Sequence, residues 1–175
     1  MKKLAVVVAC LAFAAPASAQ SIGEKTGLSA LIGIAPTTTD FISQAAIGDM
    51  FGVEVGKLAL ARGGEKSKRF AEQSVQDHEV SAQALRALIA GGNVRATIPT
   101  AIDSSRRAVL DKLAKLQGDE FDNEYFEAQA SAQADALSLY QRYSRGGDHR
   151  DLKLYAVKRL PGLEESARLA KDLKN

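Results

Sequence analysis

The chain is poor in the residues on which most enzyme centres are built. It has one cysteine and two histidines in 175 residues. The cysteine, Cys10, lies in an N-terminal stretch that reads as a cleaved leader, which leaves the remaining chain without a thiol or a disulfide. No Gly-x-Ser-x-Gly elbow, phosphate loop or dinucleotide fingerprint occurs. Nor does Glu-x-x-His, the paired ligand motif of di-metal helical bundles. No run of alternating polar and apolar residues suggests a strand. Basic residues form no stripe with interleaved aromatics. Arg106, Arg107, Arg142, Arg145 and Arg150 read as parts of a solvated face, which argues against a nucleic-acid surface.

The N-terminus carries a clear pattern. Met1-Lys2-Lys3 is a basic start, residues 4–15 are an apolar run too short to span a bilayer, and Pro16 breaks that run. Ala17-Ser18-Ala19 then supplies the small-x-small pattern of a signal-peptide cleavage site, placing the cut between Ala19 and Gln20. A lipoprotein box over Val7-Val8-Ala9-Cys10 is the rival reading, but the apolar run before Cys10 is short for it. Loss of Lys2 and Lys3 brings the 23 basic residues down to 21, equal to the 21 acidic ones. A neutral mature chain argues further against nucleic acid or anionic lipid as a partner. The expected compartment is the periplasm or the periplasmic face of the outer membrane, with no transmembrane helix in the mature chain.

Beyond the leader, residues 20–38 form a flexible arm rich in Gly, Thr, Ser and Ala. Its Leu28, Leu31, Ile32 and Ile34 are apolar enough to dock on a core. Residues 39–174 form one helical domain. The spacing predicts helices over 40–62, 66–90, 119–143 and 149–173, with a shorter one over 103–116. Thr38 or Thr39 caps the first. The turn at Arg62-Gly63-Gly64-Glu65 joins the first pair of long helices, and residues 144–148 join the second. Pro161-Gly162 interrupts the last helix, with a kink near Arg159. Gly48, Gly52 and Gly56, four apart, signal that a neighbouring backbone or bulky ring comes close. Tyr125, Tyr140, Tyr143 and Tyr155 fall at helical spacing and read as core or rim.

Short links make each long pair an antiparallel hairpin. The segment over 91–118 is long enough to run the length of the molecule. The predicted fold is therefore all-α: a ferritin-like four-helix bundle with a long crossover that carries a short extra helix.

Residues 48–59, the Val75-Gln76-Asp77-His78 run, residues 121–125 and Leu160-Pro161 together resemble the bacterial domain-of-unknown-function family 4142. Its members are labelled exported or outer-membrane proteins. The resemblance implies a ferritin-like fold and an envelope location, and supplies no reaction.

Depth along the helices brings Glu54, Asp77, His78, Gln133 and Glu165 to similar levels. Glu54 and His78 are expected to face the interior, where a transition metal could find ligands. The resemblance implies histidines at the positions of Gln133 and near Glu165 and Ser166. This chain has an amide, a carboxylate and a hydroxyl there, and a neutral amide is a poor ligand for a transition metal. The bland reading makes His78 a partly buried histidine bonded to Glu54, Gln133 or the backbone. No residue is assigned a catalytic or cofactor-binding role. Two functions follow: a non-enzymatic exported protein acting through protein or surface contacts, or a metal-binding or redox protein centred on Glu54 and His78. A holdase with an exposed apolar groove is a third.

Overall fold

The computed structural model describes residues 33–91 and 94–174. The leader, its cleavage site and most of the expected arm lie outside them. The described residues form five helices and no strand: α1 Thr38–Arg62, α2 Glu65–Ala90, α3 Ser104–Leu113, α4 Gly118–Gly146 and α5 Arg150–Lys174.

Each boundary has a local cause. The cap of α1 is Thr37, one residue before the expected pair. Its hydroxyl accepts from the Asp40 amide at 3.1 Å and donates to Asp40 Oδ2 at 2.8 Å. This reciprocal arrangement satisfies a helix-end donor that would otherwise be open. Asp103 caps α3 in the same way, accepting from the Arg106 amide at 2.8 Å. At the end of α1, the Gly63 amide donates to Ala59 O at 2.8 Å. A Cβ on Gly63 would come within 2.8 Å of that carbonyl and 2.6 Å of Ser67 Cβ, so the turn into α2 needs glycine. Pro161 lies inside α5, and the expected interruption does not occur. The fixed φ of proline suits a helix, and the cost is confined to the hydrogen bond and the crowding at the turn before it.

α1 and α2 form one hairpin and α4 and α5 the other; they meet through α1 against α4 and, less extensively, α2 against α5. Phe41, near the start of α1, stacks on Tyr143, near the end of α4, with ring centroids 4.0 Å apart. At the opposite end, Asp122 in the first turns of α4 accepts from the Gly64 amide at 3.0 Å and from Ser67 Oγ at 2.6 Å. α1 and α4 are thus antiparallel, and α2 and α4 point the same way. The connection between α2 and α4 must therefore travel from one end to the other. Val94, Ala96 and Ile98 pack at the first end, and Ile102, Val109, Leu110 and Leu113 at the second.

The interior is divided lengthwise. One apolar cluster holds Phe41, Ile42, Leu85, Leu139, Tyr140, Tyr143, Leu152 and Tyr155. The other holds Phe51, Val55, Ala71, Leu113, Phe121, Tyr125 and Phe126. Full burial of each large side chain contributes roughly 1.5–3 kcal/mol. Between the clusters the helices turn polar residues inward: Asp49 from α1, Ser74 and Ser81 from α2, and Gln129 and Gln133 from α4, all buried.

The described end of the expected arm is tied down. Pro36 is buried, and Arg142 Nη1 donates to Ile34 O at 2.8 Å. No helix among the described residues is long and apolar enough to cross a membrane.

Candidate functional site

In the polar layer two largely buried ionisable side chains, Asp49 and His78, meet. Asp49 lies on the inner face of α1, eight residues after Phe41 and four after Ala45, so it follows their stripe inward. His78 reaches it from α2. Its Nδ1 lies 2.9 Å from Asp49 Oδ1, and the two side chains are 12% and 6% exposed. A carboxylate only accepts, so the imidazole nitrogen donates and Nδ1 carries the proton.

Gly52 makes room for the ring. A Cβ there would lie 2.2 Å from His78 Cδ2 and 2.3 Å from Nε2. The imidazole edge away from Asp49 is thus laid against the α1 backbone. At Gly56 the close neighbour is Val75 Cγ2, 2.4 Å from a hypothetical Cβ. The close approach expected from the glycine spacing occurs at these two positions. Gly48 differs, with nothing within 4 Å of its would-be Cβ.

A second hydrogen-bonded group borders the layer. Ser81 Oγ and Tyr155 OH are 2.8 Å apart, and Tyr155 OH is 3.2 Å from Tyr140 OH. Burial pushes the Tyr140 phenol well above its usual range, with the neighbouring Tyr155 and Asp49 adding to the shift. Burial raises Tyr155 too, followed by Asp49. Both phenols are held neutral and act as hydrogen-bonding groups.

The expected ligands do not converge. Glu54 points outward, 42% exposed, and lies 3.3 Å from Arg107 Nη1. Its inward expectation fails because Phe51, Gly52, Val55 and Gly56 occupy the buried face and leave position 54 on the other side. Asp77 is half-buried and accepts from Gln73 Nε2 at 2.9 Å, while its carbonyl faces Arg159 Nη2 at 3.4 Å. Glu165 is exposed and pairs with Arg168 at 2.7 Å. The hydrogen bond from Arg168 holds its carboxyl below the ordinary glutamate range. Only His78, with Gln133, lies in the layer. Its partner is Asp49, which belongs to no Glu-x-x-His motif. The Phe41–Ala45–Asp49 spacing was the signal that could have found it.

The ligand set of a di-metal centre is not met by these residues. Four carboxylates and two imidazoles are the ligand set of such a site, whereas this layer offers one of each, already bonded to each other, and two amides. Among the described residues no group of three or more His, Cys, Asp or Glu side chains could hold a metal ion.

A family model described as "Domain of unknown function (DUF4142)" matches residues 24–173. Neither the curated proteins nor the solved structures contain a match.

Proposed function

Because the chain belongs to the domain-of-unknown-function family DUF4142, whose description names no reaction, we propose that it is an exported, non-enzymatic helical protein of the cell envelope acting through protein or surface contacts. In this reading residues 1–19 direct export, the mature chain starts at Gln20, and the domain is a ferritin-like four-helix bundle whose segment after α2 is its long crossover. No cofactor is needed. The observation that carries the reading is the placement of His78. One nitrogen is bonded to Asp49 and the other edge is laid against Gly52. An imidazole held in this way, with one nitrogen engaged and its far edge packed on a helix backbone, is a positioned core group, whereas a general acid or base must reach a substrate proton. The pair is best understood as a hydrogen-bonded polar element of the interior.

Surface features agree with a contact role. Val80 on α2 and Leu154, Val157 and Leu169 on α5 are exposed apolar side chains. α3 packs on α1 and α4, and these side chains stand on the other two long helices.

The test has two arms. Fractionation of the native host with mass determination of the N-terminus should find a periplasmic or outer-membrane-associated chain starting at Gln20; a cytoplasmic chain retaining Met1 overturns the export half. Elemental analysis of the purified protein, with His78→Ala as comparison, addresses the other half. Stoichiometric metal that disappears in the variant overturns the non-enzymatic reading in favour of a metal protein. Metal-free protein whose melting temperature ignores added iron, zinc or copper supports it.

A further inference from the structure

Beside the Asp49–His78 pair is a small, mostly enclosed cavity of about 50 Å³. Four polar atoms on its lining residues are buried without a hydrogen-bond partner among the described residues: Asp49 Oδ2, Gln129 Nε2, Gln133 Oε1 and Arg159 Nε. Asp49, Gln129 and Gln133 are only 5%, 1% and 3% exposed, and Arg159 is half-buried. An unsatisfied buried donor or acceptor costs about 1–3 kcal/mol. Four around one void therefore point to a missing partner.

Charge narrows what that partner is. Arg106 and Arg159 also line the void. A bare cation entering it meets two guanidinium groups, and an anion meets the Asp49 carboxylate. The orphan atoms include two donors, Gln129 Nε2 and Arg159 Nε, as well as two acceptors, so the ligand must both give and accept hydrogen bonds. It must also be very small. A water needs roughly 10–15 Å³ of such volume, so the void admits on the order of three to five waters at most.

Gly48 is the independent observation. It lines the same cavity, yet no atom lies within 4 Å of where its Cβ would be. Gly52 and Gly56, one and two turns on, have their space filled by His78 and Val75. The glycine at 48 thus faces open space where its two counterparts are packed. Gly48 and Arg106 are half-buried and Asp135 is exposed, so the void has a mouth in the groove between α1 and α4.

We propose that this void is a hydration site: internal water bridges Asp49 Oδ2 to the Gln129 and Gln133 amides and exchanges with bulk solvent past Gly48 and Arg106. The bland polar layer then becomes a wet layer, with the Asp49 carboxylate in hydrogen-bonded contact with solvent through ordered water.

Oxygen-17 relaxation dispersion of water in solutions of the full domain reads the residence of such molecules directly, and a high-resolution crystal structure locates them. The expected result is a long-lived water component in the natural sequence, reduced in Gly48→Leu, which fills the void, and in the Gln129→Leu/Gln133→Leu pair, which removes its polar walls. Circular dichroism identifies variants that have lost the fold. If both have, Gly48→Ala supplies the answer, since one methyl fits the open space and should lower the component. A natural protein with no long-lived water, a component unchanged in the folded variants, or density for a metal or an organic molecule in the void each overturns the proposal.

Discussion

At the scale of single residues, glycine and histidine positions make sharp demands. Gly52→Ala forces the new methyl into the His78 ring, because 2.2 Å is far inside any carbon–carbon contact. Overpacking of this kind costs about 1–3 kcal/mol. Gly162→Ala is the control. That residue is exposed in α5 with nothing within 4 Å, and replacement should stabilise by about 1 kcal/mol through helix propensity alone. Denaturant midpoints of the two variants should therefore move in opposite directions. His78→Ala removes the hydrogen bond accepted by Asp49 Oδ1 and leaves that buried oxygen without it, an effect of about 1–3 kcal/mol. Asp49→Ala/His78→Ala should lose clearly less than the two single variants summed, and additive losses in a double-mutant cycle would contradict the pairing. Periodicity showed that something close faces Gly52, and that His78 turns inward. It did not single out Asp49, because on the stripe Gly48 and Asp49 are both compatible with an inward position. Which of the two carries the partner is decided by the reach of a side chain from another helix.

At the scale of elements, the five helices were legible because their apolar spacing spans many turns. Their ends were less so. The step from Thr38 to Thr37 as the cap of α1, and the stop of α3 at Leu113, rest on individual hydrogen bonds that spacing does not encode. The tie between the first hairpin turn and α4 was likewise invisible, since Asp122 is 58 residues from Gly64. Asp122→Ala removes the acceptor for the Gly64 amide and the Ser67 hydroxyl, and should cost about 1–3 kcal/mol in chemical denaturation. Ser67→Ala should show only part of that loss. In α5, Pro161→Ala should restore a main-chain hydrogen bond without altering the packed face, because residue 161 is exposed. The gain is up to about 3 kcal/mol, measured as a rise in the denaturation midpoint.

At the scale of the whole molecule, all four tyrosines of the chain have phenol groups raised above the usual value of 10.0, in each case chiefly by burial. The unfolded chain releases these protons near pH 10, while the folded chain holds them to higher pH. Their contribution is complete below the unfolded value and is lost as pH rises toward the folded ones. Alkaline titration should therefore give one cooperative transition above about pH 10, in which tyrosinate absorbance and loss of helical dichroism coincide. Tyrosinate appearing well before the helices melt would contradict the enclosure of these rings. The sequence placed all four at core or rim by spacing. It could not place them relative to Asp49, whose charge acts on Tyr140 and Tyr155 from another helix.

The first and last helices leave the molecule at opposite ends. The start of α1 is fastened where Thr38 Oγ1 meets Tyr143 OH at 2.6 Å, and the end of α5 lies by the early part of α4, where Lys174 pairs with Glu127 at 2.6 Å. With 25 residues in α5 the two points are about 37 Å apart along the axis. A pull applied between them runs parallel to the helices. It loads the packed faces in shear, so that side chains along the whole length must slide together, instead of peeling one turn at a time. Mechanically, the domain is a strut along its long axis and a zipper across it.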